Sequence, residues 1–240
     1  MAAPQARLSD RVALVSGASR GIGAAIARRY AAEGAQVVLC ARTRAGLEEV
    51  DDEIRASSGG AQSATLVEMN LGNAVEIDAL GAAIAERFGR LDILVGNAGV
   101  LGTMTPLSQV PPEEWDEGIA VNLTANWRLI RAMEPLLLKS DAGRAIFVSS
   151  GVSPGRAYWG AYAVSKGGLV SLARTWAQEV ENTKLRVNVV NPGGTRTGMR
   201  AKAFPGEDPM TLKTPDEIAG VFVDLAEPAC TRHGEVVDAQ

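Results

Sequence analysis

Residues 12–23 read Val12-Ala13-Leu14-Val15-Ser16-Gly17-Ala18-Ser19-Arg20-Gly21-Ile22-Gly23, and this stretch decides the fold. Val12 to Ser16 carries no charge and fits a strand buried on both faces. Glycines follow in a Gly-x-x-x-Gly-x-Gly spacing, and a helical pattern begins at Ile22. Glycines there permit a tight strand-to-helix turn and let a pyrophosphate approach the backbone at the helix N-terminus. The spacing departs from Gly-x-Gly-x-x-Gly, so an ordinary tight turn with packing glycines is the alternative reading. Its position after the first strand of an alternating pattern argues for a dinucleotide site.

Outward from this turn, short apolar runs alternate with longer helical patterns. Strands are expected at 12–16, 36–40, 64–68, 93–95, 145–149, 186–190 and 235–237. Helices are expected at 22–33, 44–56, 74–88, 112–139, 160–181 and 215–225. Pro112 before Glu113 and Glu114, and Pro215 before Asp216 and Glu217, are helix starts. Pro135 is expected to bend the long fourth helix near its end. Residues 197–214 read as a loop over a site. The pattern predicts an α/β fold, a Rossmann-type doubly wound parallel sheet of about seven strands with helices on both faces. With no repeat or composition break, residues 1–240 form a single domain.

The 240 residues suffice for one large α/β core. A net charge of −4 and the absence of a Lys/Arg run argue against nucleic-acid partners. Cys40 and Cys230 make no disulfide framework and no metal-ligand spacing, so no metal is expected. His233 is the single histidine, which argues against His-based triads, and it reads as a surface residue. Residues 1–10 contain no apolar signal segment, and no run of about 18 apolar residues spans a membrane. A cytoplasmic protein is the expectation.

Tyr162 and Lys166 lie four residues apart in the fifth expected helix, which stacks both side chains on one face, about 5–6 Å apart at Cβ. An ammonium beside a phenol favours the phenolate and brings its pKa down from roughly 10 toward the working range of an acid–base catalyst. Alone, Tyr-x-x-x-Lys more often marks a solvated helix face. Further landmarks accompany it in order: Asn97-Ala98-Gly99 after the fourth strand, Asn122 in the fourth helix, Ser149-Ser150 ending the fifth strand, and Asn191-Pro192-Gly193 with Thr195 and Thr197 after the sixth. This ordered set resembles the short-chain dehydrogenase/reductase superfamily, the branch of about 250 residues, over nearly the whole chain. The segments 158–162 and 191–197 look like a poorly characterised bacterial oxidoreductase subgroup.

The resemblance implies a catalytic set of Asn122, Ser150, Tyr162 and Lys166. Tyr162 would exchange the proton of a carbonyl or secondary alcohol, Ser150 would bond the substrate oxygen, and Lys166 would hold the nicotinamide ribose and tune Tyr162. Asn122 would bind a water connecting Lys166 to solvent. The family's usual serine–tyrosine spacing points to Ser149, whereas strand register points to Ser150 and a shortened following loop; Ser150 is the choice made here. The cofactor would contact Gly17, Ser19, Arg20, Gly21, Ile22, Gly23, Arg42, Asn70, Leu71, Asn97, Ala98, Gly99, Tyr162, Lys166, Pro192, Gly193, Thr195 and Thr197.

Ala41 stands where an acid would bind the ribose hydroxyl of NAD, and Arg42 follows it. Arginine accommodates the 2′-phosphate, so NADP(H) is favoured over NAD(H), with Arg20 as a second positive charge. Asn70 replaces the family's usual aspartate at the adenine, and the usual Gly-Gly near the C-terminus is missing. The pocket would be shaped by 101–106, 151–159 and 197–214. Met104, Tyr158, Trp159, Met199 and Phe204 there point to an apolar or aromatic small-molecule carbonyl, with Arg156, Arg200 and Lys202 as groups for an anion. Helices 112–139 and 160–181 resemble those that form the family's dimer and tetramer interfaces, which implies a homodimer or homotetramer. The rival reading is a non-catalytic dinucleotide-binding sensor or structural protein on the same fold. An epimerase or dehydratase would want a separate substrate domain, for which the chain leaves little room.

Overall fold

The computed structural model describes residues 6–240, so the reading of residues 1–10 lies partly outside the described residues. The strands are β1 (Val12–Ser16), β2 (Gln36–Ala41), β3 (Thr65–Glu68), β4 (Ile93–Gly96), β5 (Arg144–Val148), β6 (Arg186–Asn191) and β7 (Val236–Asp238). They pair in parallel in the order β3-β2-β1-β4-β5-β6-β7. Every residue of β1, β4 and β5 is buried, as strands covered on both faces must be.

Helices α1 (Gly21–Ala32), α2 (Arg44–Ser57) and α8 (Pro215–Ala226) share one hydrophobic cluster with one face of the sheet. Helices α3 (Ala74–Phe88), α5 (Ala125–Leu137) and α6 (Gly160–Glu179) share another with the opposite face. A capping box starts α8, with Thr214 Oγ1 accepting from the Glu217 N–H and Glu217 accepting from the Thr214 N–H at 2.6 Å.

The expected helix over 112–139 is interrupted. It runs as α4 (Pro112–Ile119), a π-turn (Ala120–Thr124) and α5, and Asn122 lies within the π-turn. Pro135 is accommodated inside α5. Residues 197–214, expected as loop, hold α7 (Gly198–Ala203), whose N-terminus is capped by Thr197 Oγ1 accepting from the Arg200 N–H at 3.1 Å. A six-residue helix shows too little periodicity to read from sequence.

His233 corrects another expectation. Its Nδ1 accepts from the Val187 N–H at 3.1 Å, and its Nε2 lies 2.7 Å from the Ala177 carbonyl. The ring therefore ties α6 to β6 rather than standing free at the surface.

The C-terminal segment packs without the usual Gly-Gly. Asp238 accepts from Asn191 Nδ2 at 2.7 Å, the Ala239 N–H donates to the Asn191 carbonyl, and Gln240 Nε2 donates to the Pro192 carbonyl at 2.5 Å.

Candidate active site

Strand order reverses between β1 and β4, so the loops after these two strands leave the sheet side by side. In open α/β sheets this switch point is where ligands bind. The two loops are joined by the backbone and side chain of Ser16: its hydroxyl accepts from the Asn97 and Ala98 N–H groups at 2.9 and 3.1 Å. Asn97 Nδ2 donates in turn to the Ser16 and Gly17 carbonyls at 2.9 and 3.2 Å.

The glycines are required by this closeness. Gly17 has φ of 65°, and a Cβ there would stand 2.8 Å from Ala98 Cα. A Cβ at Gly23 would meet the Gly17 carbonyl oxygen. Gly21, φ 58°, faces Thr197 and brings the 192–197 turn beside the start of α1. That helix has no side-chain cap and no acidic residue in its first turn, so its leading N–H groups and positive dipole end favour an anion. These features fit a dinucleotide pyrophosphate.

Arg42 is exposed, with Nη1 3.6 Å from Glu117 Oε1 on α4. Arg20 is also exposed and lines a groove with Arg28, Glu53 and Arg196, a set that does not include Arg42. Asn70 Oδ1 accepts from the Gly72 N–H at 3.0 Å, closing a local turn, and Leu71 is buried in the core under α3. Thr195 is buried and donates to the Pro192 carbonyl at 2.9 Å, which shapes the 192–197 turn.

Tyr162 and Lys166 share one face of α6, and Lys166 Nζ lies 5.8 Å from the centre of the Tyr162 ring. Lys166 is 3% exposed and donates to the Val148 carbonyl at the end of β5 at 2.6 Å. Burial lowers its pKa to about 8. Burial also pushes the Tyr162 phenol above its ordinary value, and a side-chain hydrogen bond with Ser150 opposes that rise. The expectation that Lys166 draws Tyr162 downward is therefore corrected: in this arrangement desolvation dominates both groups, and Tyr162 keeps its proton at neutral pH.

The two serines separate clearly. Ser149 is buried and donates to the Lys166 carbonyl at 3.2 Å, whereas Ser150 is half-buried, its Oγ accepts from the Val152 N–H at 3.4 Å, and its hydroxyl acts on the Tyr162 phenol against the rise that burial causes. Asn122 is fully buried; its Oδ1 accepts from the Val100 N–H at 2.8 Å, and its Nδ2 donates to the Val100 carbonyl and to Ser165 Oγ. Its amide braces the loop after Gly99, and a Cβ at Gly99 would lie 3.2 Å from Asn122 Oδ1 and 3.6 Å from Lys166 Nζ.

Beside Tyr162, Trp159 lies at 5.8 Å between ring centres, and Phe204 after α7 lies 5.8 Å beyond Trp159. Val152, Ala163, Leu101 and Ala203 complete this apolar cluster. Tyr158, by contrast, is exposed and in the left-handed region, φ 72°. No cluster of three His, Cys, Asp or Glu side chains suited to a metal occurs among the described residues, and no helix among them is long and apolar enough to cross a membrane.

A sheet of this order, a glycine cradle at its switch point and a Tyr–Lys pair on α6 define a dinucleotide-binding oxidoreductase architecture. The model of the short chain dehydrogenase family matches residues 11–208, and the chain belongs to that family. It is 42% identical to YciK of Escherichia coli, named an uncharacterized oxidoreductase, over 97% of this chain and 93% of that protein. It is 35% identical to an uncharacterized NAD-dependent oxidoreductase of Mycobacterium tuberculosis, over 94% of this chain and 92% of that one. A short chain dehydrogenase from Escherichia coli CFT073, solved with NADPH, superposes with a TM-score of 0.94 at 41% identity, covering 99% of this chain and 100% of that one.

Proposed function

We propose that the protein interconverts a small carbonyl compound and its secondary alcohol with NADP(H), using Tyr162 as general acid and base. The observation that carries this reading is the buried Tyr162 phenol beside Ser150, on the same helix face as Lys166 and at the carboxyl edge of the sheet.

Gly17, Gly21 and Gly23 with the start of α1 would hold the pyrophosphate, and Arg42 and Arg20 the 2′-phosphate. Asn97, Ala98 and Gly99 would flank the adenosine ribose, Asn70 and Leu71 the adenine, and Pro192, Gly193, Thr195 and Thr197 the nicotinamide end. When bound, the nicotinamide supplies or accepts the hydride.

This chain's residues handle the proton. Tyr162 would give its proton to the carbonyl oxygen and take it back from the alcohol; burial weakens the phenol as an acid, and the Ser150 hydroxyl and the Lys166 ammonium would act against that rise. Ser150 holds that oxygen and favours the charge developing on it. Lys166, packed under the end of β5, presents its ammonium to the same face. Asn122 fixes the backbone of Val100 and, through Ser165, the turn of α6 that carries Tyr162.

A homodimer or homotetramer closed through α5 and α6, which the family resemblance supports, and a cytoplasmic setting belong to this reading.

Titration with NADPH and NADH tests the cofactor. Wild type should prefer NADPH, and Arg42→Ala should weaken NADPH about tenfold or more while leaving NADH nearly unchanged. Preference for NADH would overturn the phosphate assignment. Tyr162→Phe should lower kcat by about 1,000-fold or more with NADPH affinity intact, and Ser150→Ala by about 100-fold. Turnover that survives Tyr162→Phe would remove the mechanism.

A further inference from the structure

Three cations were open to an anionic substrate: Arg156, Arg200 and Lys202. The structure sorts them. Lys202 and Arg156 are exposed, and the Arg156 guanidinium lies 5.8 Å from the centre of the Trp159 ring.

Arg200 is the cation built into the site. Its guanidinium lies 3.9 Å from the Phe204 ring centre, and its Nη2 would stand 3.5 Å from a Cβ placed on Gly194. It therefore sits between the 192–197 turn and the aromatic wall that ends at Tyr162. Yet its charge is already matched. Its Nε donates to Glu207 Oε2 and its Nη2 to Glu207 Oε1, each at 2.6 Å, a two-pronged pair in which both side chains are 27% exposed. The Glu207 N–H donates to the Phe204 carbonyl at 3.1 Å, which closes the turn and sets the carboxylate opposite the guanidinium. Arg200 also holds the Glu207 carboxyl below its ordinary pKa, through the hydrogen bonds of the pair.

The pair takes two of the five guanidinium N–H donors, so what a second carboxylate would lack here is not donors but an unmatched positive charge. A substrate anion at this wall would meet Glu207 as a like charge and would lose water without gaining an unmatched counter-charge.

We infer that Glu207 sets the substrate class: by matching the charge of Arg200 it leaves the Phe204 end of the aromatic wall without a free cation, so the site takes uncharged, ring-sized apolar carbonyls in preference to carboxylate-bearing ones. The inference rests on the carbonyl-reduction reading above and adds to it the residue that decides selectivity.

The test compares acetophenone with 4-acetylbenzoate, both with NADPH, in wild type, Glu207→Gln and the double variant Glu207→Gln/Arg200→Gln. Wild type should favour acetophenone in kcat/KM by about tenfold or more. Glu207→Gln frees the arginine and should narrow that preference several-fold by raising the carboxylate's kcat/KM; the double variant should restore it. Restoration separates a charge effect from a disturbed turn, because a merely structural loss would deepen with the second change.

A second readout needs no turnover. Calorimetric binding of benzamide and benzoate to the NADPH-loaded protein should show the same order of preference and the same dependence on Glu207. Equal or better use of the carboxylate by wild type, or a preference that Glu207→Gln does not move, overturns the inference. If neither ketone is reduced but benzamide still binds over benzoate in a Glu207-dependent way, the selectivity stands and carbonyl reduction is lost. Binding of neither overturns the inference.

Discussion

Arg144 and Lys166 are both buried cations, and they meet opposite ends of the same strand. Arg144 opens β5 and spends its guanidinium on carbonyls: Nε on Glu227, Nη1 on Gly143 and Lys184, Nη2 on Pro228 and Cys230, at 2.7–3.3 Å. Lys166 closes β5 from α6 and donates to one carbonyl among the described residues, that of Val148. Burial lowers the pKa of both. The difference lies in what burial obtains in return. At the amino end of the sheet the cation stitches residues 227–230 to the core. At the carboxyl end an ammonium with three donors is held with little compensation, beside the phenol it is proposed to serve.

The comparison breaks first at Arg144. Arg144→Ala strands several carbonyls in a half-buried turn and should cost about 3 kcal/mol or more of stability. Urea unfolding measures it, and NADPH affinity of the folded fraction should not change. A loss below about 1 kcal/mol would mean that the turn carries itself without the guanidinium.

Much of this contrast was legible in the sequence, but unevenly. All seven strands stand within a residue or so of where apolar runs placed them, because buried parallel strands leave little choice of residue. The glycine turn and the Tyr162–Lys166 spacing pointed to the carboxyl edge of the sheet, where the candidate site lies. What spacing could not carry was desolvation: i,i+4 geometry puts an ammonium near a phenol, but only burial shows that both pKa values move the opposite way from simple attraction. The π-turn at Asn122 breaks no hydrophobic period, so it was read as plain helix. Long-range pairs were invisible too. His233 to Ala177 joins residues 56 apart, and the role of Arg200 depends on a turn that seats Glu207 opposite it.

The second test sharpens the other end of β5. Lys166→Met should abolish turnover and yet stabilise the fold, the reverse sign to Arg144→Ala. The direction follows from linkage. The folded pKa of about 8 lies below the ordinary 10.5, so below pH 8 both folded and unfolded chains carry the charge and the cost of burying it is complete. Between pH 8 and 10.5 the folded protein binds fewer protons than the unfolded one, and stability rises with pH as the cost fades. At its limit the cost is on the order of 3 kcal/mol, from the size of that shift. The advantage of Lys166→Met over wild type should therefore be greatest near pH 7 and shrink toward pH 10.5, read as the difference between two urea series. An advantage that does not vary with pH would show that Lys166 is not buried as a cation.

The smallest expected effect concerns the neighbour of the serine proposed to bond the substrate oxygen. Ser149 extends β5 by one residue: its N–H donates to the Val190 carbonyl, and its hydroxyl donates to the Lys166 carbonyl at 3.2 Å. It therefore belongs to the strand and helps seat the turn of α6 that carries the lysine. Ser149→Ala should cost about 1 kcal/mol, the usual worth of one buried hydrogen bond, and leave kcat/KM within about twofold. Ser150 makes the opposite bargain, half-buried and turned to Tyr162, with its cost expected in turnover rather than stability. Alternation along an extended backbone explains why adjacent serines face different surroundings. Should Ser149→Ala silence the reaction while Ser150→Ala only softens the fold, the register of the 149–162 loop would have to shift by one residue, and Tyr162 would lose the partner assigned to it.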